Sequence, residues 1–278
     1  MTDLLIIGGS GFLGSALIQA ALGRGHDVGA TFHAAPLTHD ARWMQLDLRD
    51  EAAIGALVAA IRPRCIINTA YMQSGPDLVQ ITGRAPGAIG RSAAEVGARL
   101  IQLSSDVIFD GERAGSYIER DAPSPISAYG EAKALAETLV IAAHPAAAIV
   151  RTSLIYDGTS PSKHEQFVLQ TLDAEANVTF YDDELRCPIQ VNDLADALLE
   201  LCRLDPAGPI NIAGPEVVSR ARFAQLVARR YGRDPARVQS GPSPRGTSRP
   251  RNCALDTMLA RTMLASTPRA VSDVLRAQ

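Results

Sequence analysis

Apolar residues along the chain fall into two rhythms. Leu4–Ile7, Val28–Phe32, Cys65–Thr69, Leu100–Ser104 and Ala147–Arg151 are short, nearly continuous apolar runs. Between them, Leu13–Leu22, Ala52–Ile61, Ala85–Val96 and Ala132–Ala143 are alanine-rich and apolar at helical spacing. Strands without polar alternation are buried on both faces, which is the condition of a parallel sheet. Their alternation with helices predicts right-handed crossovers and a doubly wound α/β sheet. After about residue 155 the rhythm loosens. Asp157–Lys163 predicts a turn-rich loop, and Asn192–Cys202 a helix with Leu194, Ala195, Leu198, Leu199 and Cys202 on one face. Pro209–Ile212 reads as a short strand. Ser219–Tyr231 reads as a helix with Ser219 at its N-cap and Gly232 as its stop, and Ser240–Pro250 as a loop.

Composition narrows the class. The 278 residues suit one large domain with an appendage, and 46% hydrophobic with 21% charged residues excludes a disordered or fibrous chain. A net charge of -3 weighs against a nucleic-acid binder that works by neutralising phosphates. No apolar run reaches about 18 residues, so no membrane span is expected. Met1-Thr2-Asp3 lacks the basic residues of a signal peptide. Cys65, Cys187, Cys202 and Cys253 form no C-x-x-C pair, so neither a metal site nor a disulfide frame is expected, and a reducing cytoplasm fits best.

The first run leads into Gly8-Gly9-Ser10-Gly11-Phe12-Leu13-Gly14, and a helix follows at once. Gly8 permits the tight turn, Gly11 lets backbone approach a pyrophosphate, and Gly14 lets helix and strand pack closely. The phosphates then meet the helix N-terminus, so the loop is read as a dinucleotide cradle. An acidic residue at the end of the second strand would hold a free ribose 2′-OH and signal NAD. That place holds Thr31-Phe32-His33, so NADP(H) is preferred over NAD(H). His33 would meet the 2′-phosphate with Thr31 donating to it; a solvated surface role for His33 is equally open. Leu46-Asp47-Leu48 ends a further apolar run, the third in chain order and before Cys65–Thr69, and Asp47 suits the adenine amino group or the cap of the helix that starts near Asp50. Thr69 and Ala70 end the fourth strand, at the sheet edge that faces the crevice.

Tyr129 and Lys133 stand four apart at the start of a helix, so they share a face. An ammonium beside a phenol favours the phenolate, lowering its pKa and suiting it to proton transfer in carbonyl chemistry. Ser105 follows the fifth run at the same crevice, where its hydroxyl can hold a substrate oxygen.

With these motifs the chain resembles the extended short-chain dehydrogenase/reductases, and within them the dTDP-4-dehydrorhamnose reductase group. The resemblance rests on the glycine loop, Leu103–Gly111 (Leu-Ser-Ser-Asp-Val-Ile-Phe-Asp-Gly), Tyr129–Lys133, Arg151–Tyr156 and Arg249–Asp256. It implies Ser105, Tyr129 and Lys133 as the catalytic triad. Tyr129 would protonate the carbonyl oxygen, Lys133 would hold the nicotinamide ribose, and Ser105 would bind the reacting oxygen with Asp106 beside it. Arg249 to Asn252 would help to enclose the substrate. Arg186 lies where the family closes its substrate site, either as a fork for a diphosphate or as a surface ion pair with the acidic run before it. On this pattern 1–155 with about 187–204 forms a Rossmann cofactor domain, and about 156–186 with 205–278 a small substrate lobe. The implied activity is NADPH-dependent reduction of a carbonyl, foremost the 4-keto group of a nucleotide-activated deoxysugar. A regulatory subunit that keeps the cofactor without catalysis, and a sugar-nucleotide epimerase, are the alternatives. A homodimer through the Ala-rich face of the Tyr129–Ala143 helix also fits, although such faces equally pack on sheets.

Two places depart from the family pattern. Tyr71–Pro76 lacks the usual Val-Asp-x-Ala-Glu stretch, and Thr82 stands where an Asn often supports a proton relay.

Overall fold

The computed structural model describes residues 2–244 and 246–276. Seven strands form the central sheet: β1 (Leu4–Ile7), β2 (Val28–Phe32), β3 (Arg42–Gln45), β4 (Cys65–Asn68), β5 (Arg99–Ser105), β6 (Ala148–Thr152) and β7 (Gly208–Asn211). Their spatial order is β7-β6-β5-β4-β1-β2-β3, and every pairing is parallel. Strand order reverses on either side of β1, which places the ligand crevice at the carboxyl ends of β1 and β4.

Seven main helices accompany the sheet: α1 (Phe12–Leu22), α2 (Glu51–Ile61), α3 (Ala85–Val96), α4 (Ala128–Ala143), α5 (Lys163–Asp173), α6 (Val191–Leu201) and α7 (Arg220–Arg230). The continuous apolar run of β1 has a direct cause. Leu4 and Ile6 enter the core beneath α1 and α6, while Leu5 and Ile7 enter the core beneath α2 and α3. Successive side chains point to opposite faces, so a strand covered on both sides needs apolar residues at every position.

Several elements differ from their expected bounds. β3 is a half-exposed edge strand that precedes the apolar Leu46–Leu48 stretch. α4 begins at Ala128, one residue before the expected Tyr129, because Ser127 accepts from the Gly130 N–H as its N-cap. α5 had no counterpart in the hydrophobic pattern; a capping box between Ser162 and Glu165 starts it. The strand near 209–212, expected in the lobe, instead pairs with β6 and closes the central sheet. A wide-turn helical stretch, Val79–Arg84, precedes α3. Gly83, Gly87 and Gly90 there lie against Leu135, Leu139 and Ala143, so this side of α4 packs within the chain.

A second core gathers Leu154, Tyr156, Val168, Phe180, Phe223, Val227, Val271 and Leu275 under α5 and α7. The chain enters this lobe after β6, returns to the sheet for α6 and β7, and leaves again for α7. No helix among the described residues is long and apolar enough to cross a membrane.

Candidate active site

The turn from β1 into α1 is built for close approach. Gly8 has φ +84°, and a Cβ there would stand 2.8 Å from the Ala70 nitrogen. A Cβ at Gly14 would run into the Gly8 carbonyl. Ser10, Gly11 and Phe12 are exposed at the crest, whereas Leu13 is buried and offers only its backbone. Gly11 caps α1 without a side chain, and the first turn holds no acid. Its N–H groups are therefore open to an anion, and the loop fits a dinucleotide pyrophosphate.

Thr31 does not stand free for a 2′-phosphate, as expected from sequence. It is buried, and its Oγ1 accepts from the Gly8 N–H at 3.0 Å, bracing the loop. His33 is exposed just beyond β2. Asp47 pairs with Arg49 at 2.6 Å, and that guanidinium holds its carboxyl down to about 2. The capping alternative for Asp47 falls, because Asp50 caps α2. Leu48 is buried beneath this corner. Thr69 donates to the Ile7 carbonyl at 3.0 Å, and the Ala70 N–H donates to Asn68 Oδ1.

The structure brings Ser105, Tyr129 and Lys133 together at the carboxyl end of β5. Lys133 is buried, and its Nζ donates to the Leu103 carbonyl at 3.0 Å. The Nζ lies 5.8 Å from the Tyr129 ring centre and 5.5 Å from that of Tyr71; the two rings are 5.9 Å apart. Burial brings the Lys133 ammonium from 10.5 down to about 8. The expected lowering of the Tyr129 phenol does not hold in this geometry. Burial pushes it well above 10, and Tyr71 and Asp106 push it further the same way.

Asp106 is the polar hub beside Ser105. Its Oδ1 accepts from Ser105 at 3.2 Å, and its Oδ2 accepts from Ser153 at 2.6 Å and lies 3.7 Å from Arg186 Nε. Burial raises its pKa against the pull of Arg186 and the two serines. Arg186 is neither of the things expected of it. It is buried and donates to the carbonyls of Leu185, Arg251 and Pro250 at 2.7, 2.8 and 2.9 Å. It therefore staples the late chain to the site, and the acidic neighbour Glu184 pairs instead with Arg249, at 2.6 and 2.9 Å. Asn252 donates to the carbonyls of Arg113 and Gly115, fixing the loop opposite.

Sequence reasoning missed Tyr71 and Ser153 as members of the site. Tyr71 lies three residues past the end of β4, a position its strand-end context marks as crevice-facing. Thr82 is buried and both donates to and accepts from the Met72 backbone at 2.8 Å. It pins the loop that carries Tyr71.

Comparison with known proteins agrees with this geometry. The family model described as the RmlD substrate binding domain matches residues 1–277. A dTDP-4-dehydrorhamnose reductase of Mycobacterium tuberculosis is 34% identical over 85% of this chain and 78% of its own. Methionine adenosyltransferase 2 subunit beta of Mus musculus is 29% identical over 94% of this chain and 82% of its own. The crystal structure of a dTDP-4-dehydrorhamnose reductase from Bacillus anthracis, in complex with NADP, superposes with a TM-score of 0.83 at 21% identity, covering 99% of this chain and 96% of that one. With the whole chain matched and the Ser-Tyr-Lys set in place, the protein belongs to the RmlD substrate binding domain family, within the extended short-chain dehydrogenase/reductases.

Proposed function

We propose that this protein reduces a carbonyl with NADPH, and that its substrate carries the 4-keto group of a nucleotide-activated deoxysugar. The observation that carries the reading is the meeting of Ser105, Tyr129 and Lys133 beside an open glycine loop. NADP(H) would be held by Gly8, Ser10, Gly11, Phe12, Gly14 and the Leu13 backbone. His33 would lie toward the 2′-phosphate, Asp47 and Leu48 toward the adenine, and Thr69 and Ala70 beneath the cofactor. The nicotinamide would supply the two electrons as hydride. The absence of an acid after β2 and the NADP-bound relative both favour NADP(H), with NAD(H) as a weaker substitute.

Ser105 Oγ would donate to the substrate carbonyl oxygen, holding it in line with the phenol. The Tyr129 phenol, kept protonated by burial, would deliver the proton to that oxygen as it gains charge. The Lys133 ammonium would stabilise the phenolate left behind and bind the ribose hydroxyls. In the ligand-free chain the Ser105 hydroxyl donates to Asp106, so its one proton would turn from Asp106 to the carbonyl oxygen when substrate binds. Residues 1–155 with about 187–212 would bind the cofactor, and the α5 and α7 lobe with 249–252 would enclose the sugar nucleotide. We place the activity in the cytoplasm.

NADPH oxidation with dTDP-4-dehydrorhamnose tests the reading. Tyr129→Phe is expected to lower kcat at least a hundredfold, within the range of general-acid catalysis, with NADPH affinity intact. A wild-type chain that binds NADPH but oxidises none with any 4-keto sugar nucleotide would favour the alternative of a non-catalytic subunit of another enzyme, the mouse relative being named as a subunit.

A further inference from the structure

Cys65 and Cys202 stand 137 positions apart and share no motif, yet the fold brings their sulfurs to 3.0 Å. That is inside the separation of about 3.5–4.0 Å at which unbonded heavy atoms pack. Cys65 opens β4 and is 4% exposed, whereas Cys202 caps the C-terminus of α6 and is half-buried. The Cys65 thiol donates to the Cys202 sulfur, and the Cys202 thiol donates to the Leu198 carbonyl at 3.5 Å. Arg99, which pairs with Cys65 across β4 and β5, holds the turn around Cys202. Its guanidinium donates to the carbonyls of Leu201 and Pro206 at 2.9 and 3.0 Å and pairs with the exposed Asp205. The pair lies where β4 and β5 begin, at the edge of the sheet opposite the crevice, since Ser105 ends β5.

The other two thiols differ. Cys187 lies in the small core with Phe109 and Leu255, and its sulfur accepts from the Leu255 N–H at 3.4 Å. Cys253 is buried with its thiol toward the Phe109 carbonyl. Neither meets a second sulfur. Within the first pair the two members are unequal. The bond to Cys202 and then burial push the Cys65 thiol well above its ordinary value, so it keeps its proton. Cys202 is the sulfur that a small oxidant in solvent can reach.

We propose that Cys65 and Cys202 form a modification site, a reversible thiol–disulfide pair that hydrogen peroxide closes and that then locks α6 to β4. Cys202, as thiolate, attacks one peroxide oxygen; the O–O bond breaks, Cys202 becomes a sulfenic acid and the other oxygen leaves as water. The Cys65 sulfur then attacks the Cys202 sulfur. The S–S bond forms, the S–O bond breaks, and hydroxide leaves with the Cys65 proton as a second water. Two thiols lose two electrons and one peroxide gains them. A shift of about 1 Å carries the sulfurs to the S–S bond length of about 2.05 Å. In a reducing compartment such a link is transient, opened again by a dithiol. It joins two elements far apart in the chain, so closing it restrains the unfolded chain and stabilises the folded one. The crevice at the opposite edge is left as it is.

The test treats the reduced full chain with hydrogen peroxide, then denatures it and alkylates it with iodoacetamide. Peptide mass mapping should find Cys65 linked to Cys202, lighter by two hydrogens than the two peptides together, with Cys187 and Cys253 alkylated. Dithiothreitol should return all four cysteines to the alkylated form. The linked chain should melt about 5–10 °C above the reduced one. Cys202→Ser, a small change at a half-buried position, should abolish both the link and the rise in Tm with peroxide. Cys65→Ala should abolish them too, and should leave Cys202 to advance to a sulfinic acid for want of its partner. Four alkylated cysteines after peroxide, a link through Cys187 or Cys253 instead, Cys202 overoxidised in the wild type with Cys65 still alkylated, or a mapped link without a rise in Tm would each overturn the site. None of these readouts uses NADPH or a sugar nucleotide, so they stand apart from the reduction proposed above.

Discussion

Lys133 sets the pH behaviour of the site. Its ammonium is buried against the Leu103 carbonyl and loses its proton near 8 instead of 10.5, because burial penalises the charged form more than Glu137 supports it. The sign follows directly. Below about 8 the side chain is charged and can hold ribose hydroxyls and stabilise the Tyr129 phenolate; as pH rises through 8 that charge is lost. The Tyr129 phenol moves the other way and stays protonated throughout. The value of kcat/KM for NADPH, which reports the free enzyme, should therefore fall on its alkaline side with an apparent pKa near 8. A profile flat to about pH 9.5 would contradict the role given to Lys133. The same residue shows what spacing alone reveals. The i, i+4 relation to Tyr129 is local and was legible in the sequence. The direction of the phenol's shift was not, since it depends on how deeply the fold buries the pair.

At the scale of elements, the decisive contact lies between the start of α4 and the turn after β5. Ser127 caps α4, which puts Tyr129 in the first turn, and a Cβ on Gly130 would run into the Val107 carbonyl. The first turn of α4, with Tyr129, is thus set against the turn that follows Ser105 across a single glycine. Gly130→Ala should destabilise the chain by about 1–3 kcal/mol, as overpacking does, although alanine is the better helix former. It should also lower kcat more than it raises the KM for NADPH, because it separates Tyr129 from Ser105 and leaves the glycine loop alone. Urea unfolding and steady-state kinetics on the one variant would decide; a stabilised and fully active Gly130→Ala would refute the contact. Elements whose cause is local were legible in advance: β1 with its glycine turn, α6 with its apolar face, and Ser219 as the cap of α7. α5 was not, because Lys163–Asp173 is polar overall, with Phe167, Val168, Leu169 and Leu172 its apolar residues, and owes its start to a capping box. The staple made by Arg186 was not, because its carbonyl partners at 250 and 251 lie far along the chain. β7 was not assigned to the sheet, because a four-residue edge strand with Gly208 and Pro209 carries little pattern of its own.

The whole molecule is two cores threaded by one chain. After β6 the chain builds the lobe at Leu154 and Tyr156, returns for α6 and β7, and leaves again for α7. The late segment then binds both parts together. Leu255 pairs with Tyr117, Asn252 with Leu185, and Ala254 and Leu255 fill a small core with Phe109, Tyr117 and Cys187. Arg186 adds the polar tie from the lobe to Asp106. Separate unfolding of the lobe would break these ties and expose apolar surface on both sides, so the two cores should melt as one unit. A single urea transition is expected, coincident by far-ultraviolet circular dichroism and by fluorescence of the one tryptophan, Trp43, which sits on β3. NADPH is proposed to bind at the carboxyl edge of the sheet, yet at about one hundred times its Kd it should move the entire transition by roughly 2.7 kcal/mol. If NADPH shifted only the fluorescence change and left part of the circular dichroism transition in place, the lobe would be an independent unit. The enclosure of the substrate could not then be coupled to cofactor binding through Arg186 and the late strand.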